Sequence, residues 1–123
     1  MADANIIIQD IPTQTEGAAV KTVTISGQLD ESNVDEKVKA VYEAIEAHPQ
    51  NLFIIFDLGE LEYMNSKAIG YLTDWYGKIT EHGGKIVMAK VKPNVLDVLE
   101  VVGLTQLIKS YTTIEEAKAG LSS

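Results

Sequence analysis

The sequence contains no cysteine and no arginine. Without thiols there are no disulfides, no thiol nucleophile and no cysteine-ligated zinc. Ten basic residues stand against eighteen acidic ones, for a formal charge of −8. Nucleic acid is not an expected partner, because backbone recognition needs dense positive charge. Anionic membrane surfaces are disfavoured for the same reason. A protein partner with a basic patch fits the charge, and so does a charge that only keeps a small domain dissolved. The longest apolar run is LFIIF, residues 52–56, far short of a membrane span. The opening MADANIIIQD has no basic region ahead of a long apolar stretch, so it does not read as a secretory signal. A cytoplasmic location without direct membrane insertion is the expectation.

What is present suits one domain over residues 1–123, with 46% apolar types. Residues 5–11, NIIIQDI, and 20–26, VKTVTIS, read as strands joined by a turn. Gly27-Gln28-Leu29-Asp30 leaves the second strand, and Asn33 is placed to cap a helix over 34–47 lined by Val34, Val38, Val41 and Ile45. His48-Pro49 stops it. Residues 51–58, NLFIIFDL, are apolar without alternation, as in a strand covered on both faces. GELEYMN then reads as a short loop into a helix over 66–81, whose inner face holds Ile69, Leu72, Trp75 or Tyr76, and Ile79. Gly83-Gly84 ends that helix. A strand over 85–89, a helix over 93–101 opening on Pro93, a short edge strand at Leu107-Ile108 and a helix over 113–121 capped by Thr113 complete the order. Such alternation predicts an α/β fold: a mostly parallel sheet with an antiparallel N-terminal edge strand, packed with helices.

In open α/β sheets, sites gather beyond the carboxyl ends of the strands. That edge holds Asp57 and the segment Glu60 to Ser66. Asn65 is a natural cap residue, and Ser66 falls in the first helical turn beside unpaired N–H groups. A phosphate on Ser66 would gain hydrogen bonds there and the helix dipole, with Lys67 adding a positive charge. Glu60 and Glu62 would repel it if the loop folds back. Serine near a helix start is also common as a plain cap. Asp57 is expected to hold the loop through backbone hydrogen bonds. A receiver-like site using Asp57 needs an acidic pair after the first strand and a lysine after the last, but Asp10 lies on an edge strand and Lys109 is loosely placed. His48 and His82 read as separate, exposed helix ends, so no metal site is expected. No G-x-S-x-G elbow, Walker loop or dinucleotide motif occurs, so neither hydrolase chemistry nor a cofactor is expected.

The ordered landmarks resemble the STAS domain family, which contains the anti-sigma factor antagonists. Gly27-Gln28-Leu29-Asp30 resembles its G-x-l-D segment, and Ile54 to Leu58 its buried strand. LEYMNSKAIG, residues 61–70, resembles the signature loop and helix start often written D-S-S-G-L-G. Gly83-Gly84, Pro93 and Gly103-Leu104 resemble the later landmarks, so the likeness covers about residues 5–121. The resemblance implies that Ser66 is the phosphate acceptor and that the protein is not an enzyme. It implies a partner-switching cycle in which the unphosphorylated chain binds an anti-sigma factor or related serine kinase, is released on phosphorylation, and is restored by a serine phosphatase. The implied partner surface comprises Gln28, Asp30, Ser32, Asn33, Glu60, Glu62, Tyr63, Met64, Ile69 and Tyr71. Asn65, Lys67 and Ala68 depart from the signature, which leaves open a divergent kinase or a surface that only docks. Two alternatives stand beside the cycle. One is a STAS-like docking or scaffold subunit of a stress-signalling complex or a transporter. The other is a small α/β ligand-binding protein or enzyme using Asp57 and Ser66. The first strand is also available to pair across a homodimer.

Overall fold

The computed structural model describes residues 3–122. Its strands are β1 (Ala4–Ile11), β2 (Ala19–Leu29), β3 (Leu52–Met64), β4 (Lys85–Ala89) and β5 (Lys109–Tyr111). Its helices are α1 (Val34–Lys37), α2 (Lys39–Ala47), α3 (Ser66–Glu81), α4 (Pro93–Val101) and α5 (Ile114–Leu121), with a 3-10 turn at Leu104–Gln106. The sheet runs β1-β2-β3-β4-β5 in space, antiparallel between β1 and β2 and parallel elsewhere. This is the expected α/β architecture.

One face of the sheet carries the main core. Val34, Val38 and Val41 from α1–α2, Ala68, Leu72, Trp75 and Ile79 from α3, and Val95 and Leu99 from α4 close over Val23, Ile54, Phe56, Leu61 and Met88. On the other face α5 covers the β3–β5 part of the sheet, where Ala117 meets Ile55, Val87 and Ala89. Burial on both faces of the central strands is why LFIIF shows no alternation. Trp75, not Tyr76, points inward, and Ala68 rather than Ile69 is the fully buried residue of the first turn.

Several boundaries differ from expectation. The strand expected to end at Leu58 continues to Met64. The buried residues there are Leu58, Leu61 and Met64, three apart rather than two. Two register shifts explain this, since Thr24 pairs with Asp57 but Ser26 with Glu60, and Gly27 with Leu61 but Gln28 with Tyr63. Each inserts one extra residue into β3, and such bulges restore an inward direction that simple alternation cannot show. β2 likewise runs on through Gly27 to Leu29 instead of leaving the sheet at Gly27. Gly27 has φ +86°, and a Cβ there would strike the backbone of Asp3 and Ala4. The expected helix over 34–47 is broken at Val38, whose ψ of −12° tightens the turn as three β-branched valines press onto the core. The last strand is Lys109–Tyr111, while Ile108 is buried in the core and Leu107 is exposed. Thr113 caps α5 as expected, accepting from Glu116 N–H at 3.1 Å. His48 is half-buried rather than exposed.

Candidate functional site

Ser66 is the first residue of α3, and its side chain is exposed. Two hydrogen bonds place it. The Asn65 side-chain oxygen accepts from Ala68 N–H at 2.9 Å, and Asn65 N–H donates to Leu29 O at 3.0 Å. The expected cap is therefore present, and it also ties the start of α3 to the end of β2. N–H groups of a first helical turn lack intrahelical partners and attract anions.

Lys67 does not stand free beside Ser66. Its Nζ lies 2.8 Å from Asp35 Oδ2, and the Tyr71 hydroxyl donates to Asp35 Oδ1 at 2.7 Å. The pair links α1 to α3 at the surface. Hydrogen bonding to Lys67, then to Tyr71, holds the Asp35 carboxyl below its usual range. The same contacts push Lys67 and Tyr71 up. Tyr71 continues into an aromatic cluster, 6.0 Å from Tyr42 and 6.4 Å from Trp75, with Trp75 stacked on Phe56 at 5.5 Å. Tyr42 also donates to Asp74, and burial together with that carboxylate pushes its hydroxyl up.

After β2 ends at Leu29, the chain makes a tight turn through Asp30 to Asn33. The Asp30 carboxylate accepts from Ser32 N–H at 2.9 Å and from Ser32 Oγ at 2.6 Å, and these bonds lower its pKa. Asn33 stands at the cap position of α1, but its side chain does not cap the helix. It donates to Gln28 O at 2.9 Å and accepts from Asp30 N–H at 3.0 Å, so it staples the turn instead. A four-residue helix leaves little to cap, whereas the turn's own backbone groups are within reach.

Beyond the first bulge, Glu60, Glu62 and Tyr63 are exposed, Tyr63 at 49%. Met64 is only 8% exposed and belongs to the core, so the sequence expectation of a surface contact there is corrected. Ile69 is half-buried against the same core. Asp57 does hold the chain by a backbone bond, accepting from Gly59 N–H at 3.1 Å, but what it holds is a bulge within β3 rather than a loop. Lys90 Nζ approaches Asp57 at 3.7 Å, and the Lys90 side chain lies over Gly59, where a Cβ would come within 2.9 Å of it. Asn94 from α4 donates to Glu62 O at 2.9 Å. Asp35, Lys90 and Asn94 were not singled out from the sequence. Asp35 is 32 residues from Lys67 and 36 from Tyr71, so no local spacing signals their meeting.

The gap beneath this surface is lined by Ile25, Leu29, Phe56, Leu61, Met64 and Trp75, all apolar. It offers no convergent polar groups to a small ligand. Among the described residues no group of three His, Asp or Glu side chains could hold a metal ion. No helix among them is long and apolar enough to cross a membrane.

Known proteins share this chain's sequence pattern and its fold. The STAS domain profile matches residues 11–117. An anti-sigma F factor antagonist from Paenibacillus polymyxa is 30% identical over 92 residues, covering 75% of this chain and 78% of that protein. The fold is shared with an anti-sigma factor antagonist from Mycobacterium paratuberculosis at TM-score 0.69 and 21% identity, covering 95% and 96% of the two chains. It is shared with the unphosphorylated form of the antagonist SpoIIAA at TM-score 0.73 and 20% identity, covering 94% and 96%. The murine Solute Carrier 26 family member A9 anion transporter contains the same fold at TM-score 0.73 and 15% identity, with 99% of this chain matching 22% of that one.

Proposed function

This chain belongs to the STAS domain family, whose domains are regulatory rather than catalytic, and from that premise we propose that it is an anti-sigma factor antagonist switched at Ser66. Unmodified, it binds an anti-sigma factor that is itself a serine kinase or works with one. Phosphorylation of Ser66 ends the complex, and a serine phosphatase restores it. The observation that carries this reading is the position of Ser66. It is exposed at the first residue of a capped helix, in a segment that resembles the family's signature, close to the stapled turn that follows β2 and to the exposed Glu60, Glu62 and Tyr63 of β3. A phosphate there adds up to two negative charges to a surface already bearing Glu60 and Glu62. The partner surface is Gln28, Asp30, Ser32, Asn33, Glu60, Glu62 and Tyr63, with Ile69 and Tyr71 contributing their outer edges. The likeness to an anti-sigma F factor antagonist supports an anti-sigma factor as the class of partner.

The test is intact-mass measurement with site mapping on protein purified from its native cells. One phosphoryl group at Ser66, absent from Ser66→Ala, is the expected result. Ser66→Glu should weaken binding to the partner anti-sigma factor at least tenfold, about 1.4 kcal/mol. Unmodified Ser66 under growth and stress alike, with no phosphate transferred by the host's kinases, would leave the docking-module reading. The specific observation favouring that second reading is Lys67, which replaces a small neutral residue and is engaged by Asp35.

A further inference from the structure

The two edges of the sheet are unlike. β5 is three residues long and includes Lys109. β1 is eight residues long, ANIIIQDI, with no lysine, proline or glycine and one charge, Asp10, which pairs with Lys21. Edge strands are ordinarily guarded against pairing by shortness, lysine, proline or bulges. β1 has none of these guards, and its ladder with β2 runs without a register shift.

The direction of its backbone groups follows from two hydrogen bonds. Ala19 N–H donates to Asn51 O at 3.1 Å on the β3 side, so odd-numbered residues of β2 address β3 and even-numbered ones address β1. Gln28 N–H donates to Asp3 O at 2.8 Å, in agreement. With Ile7 opposite Thr24 and Ile8 opposite Val23, the odd residues of β1 bond to β2. The N–H and C=O groups of Ala4, Ile6, Ile8 and Asp10 therefore point outward. Ala4 is buried near α1, so Ile6 and Ile8 carry the accessible part of the edge.

We propose that this edge is a self-association surface, on which two copies pair β1 with β1, antiparallel, about a two-fold axis through Ile7. In that register Ile6 of each copy lies opposite Ile8 of the other, and both present outward-facing backbone groups. On the face away from α1–α4, Ile7 meets its own counterpart and Asn5 meets Gln9. Ile7 is 52% exposed in the single chain, so the pairing buries an apolar side chain that the fold leaves in water. An axis through Ile8 also matches the backbone parity, but it sets Ile7 against Gln9 and Asn5 against Ile11. With the axis through Ile7, Asp10 faces Ala4 rather than a second Asp10. Beside the seam, a groove lined by Asn5, Ile6, Glu36, Lys37, Lys39 and Glu43 presents both signs of charge to a two-fold mate. The long-range term opposes association, because each copy carries −8. Salt therefore strengthens the dimer by screening.

The chain has no cysteine, so one introduced thiol reports the register without interference. Ile7 pairs lie between outer hydrogen bonds, where Cα atoms approach to about 4.5 Å, within disulfide range. Sedimentation equilibrium from micromolar to submillimolar protein should show the mass rising from 13.4 kDa toward twice that value, at lower concentration in high salt. Ile7→Cys should form a disulfide-linked dimer under mild oxidation, and Ile8→Cys much less. Ile8→Pro removes an outward N–H and leaves the β1–β2 ladder its bonds, so it should stay monomeric with an unchanged circular dichroism spectrum. A wild type that stays monomeric at high salt overturns the proposal, as does cross-linking that favours Ile8→Cys over Ile7→Cys. If Ile8→Pro fails to fold, the sedimentation and cross-linking results decide alone.

Discussion

Asn65 has two tasks at the start of α3, and its substitutions separate them. Its side chain caps Ala68 N–H while its backbone binds Leu29. Asn65→Ala should cost about 1 kcal/mol of stability, read as a lower urea midpoint at unchanged slope. Asn65→Asp should keep the cap and place a negative charge beside Ser66, with stability close to wild type. A larger loss in the aspartate variant than in the alanine variant would show that the cap is not what Asn65 supplies. Asp35 gives a pH signature. Its folded pKa lies below the ordinary 3.8, so the stability it contributes is present above that value and is lost as pH falls through the lower folded one. Asp35→Asn should therefore show a shallower decline of urea midpoint in acid, with the difference from wild type shrinking in high salt because the pair is exposed. Parallel curves for the two proteins would refute the assignment. The cap was legible in the sequence, because Asn followed by a helical apolar pattern is a local signal. The Asp35–Lys67–Tyr71 contact was not, because it joins elements far apart in the chain.

At the scale of elements, glycine and bulges determine what periodicity alone misjudges. Gly27 keeps β2 in the sheet at a left-handed φ while β1 passes close against it. Gly27→Ala should cost more than the roughly 1–2 kcal/mol of placing an L side chain at a left-handed φ, because the added methyl also meets the backbone of Asp3 and Ala4. Chemical denaturation measures this, and a near-neutral result would mean that β1 can shift to make room. The strand Lys85–Ala89 and the helix Pro93–Val101 are legible to the residue, and the helix Ser66–Glu81 approximately so. Their ends carry local stop signals: Asn65, Gly83-Gly84 and Pro93. The end of β3 carries none, since its bulges arise from pairing with β2. Met64, part of the partner surface that the resemblance implies, is turned into the core by the second of these bulges.

The molecule as a whole is held about one aromatic stack. Trp75 stacks on Phe56 and on Tyr71 and meets Tyr42 edge-on, joining α2, α3 and β3. Trp75→Ala should cost about 3–5 kcal/mol, a large part of a small domain's stability. Thermal unfolding checks this, and a loss under about 1 kcal/mol would show that the stack is not the centre of the core. By itself the sequence determined the α/β class, the element order, the family resemblance and the place of Ser66. Each of these is written in local periodicity, caps and glycines, or in a motif of adjacent residues. Only the tertiary structure decided that β3 runs on through two bulges, that Asn33 staples a turn instead of capping a helix, that Asp35 engages Lys67, and that the backbone of Ile6 and Ile8 faces outward. Those features depend on which residues distant in the chain are brought opposite one another, and the register of a sheet is set by all of its strands together.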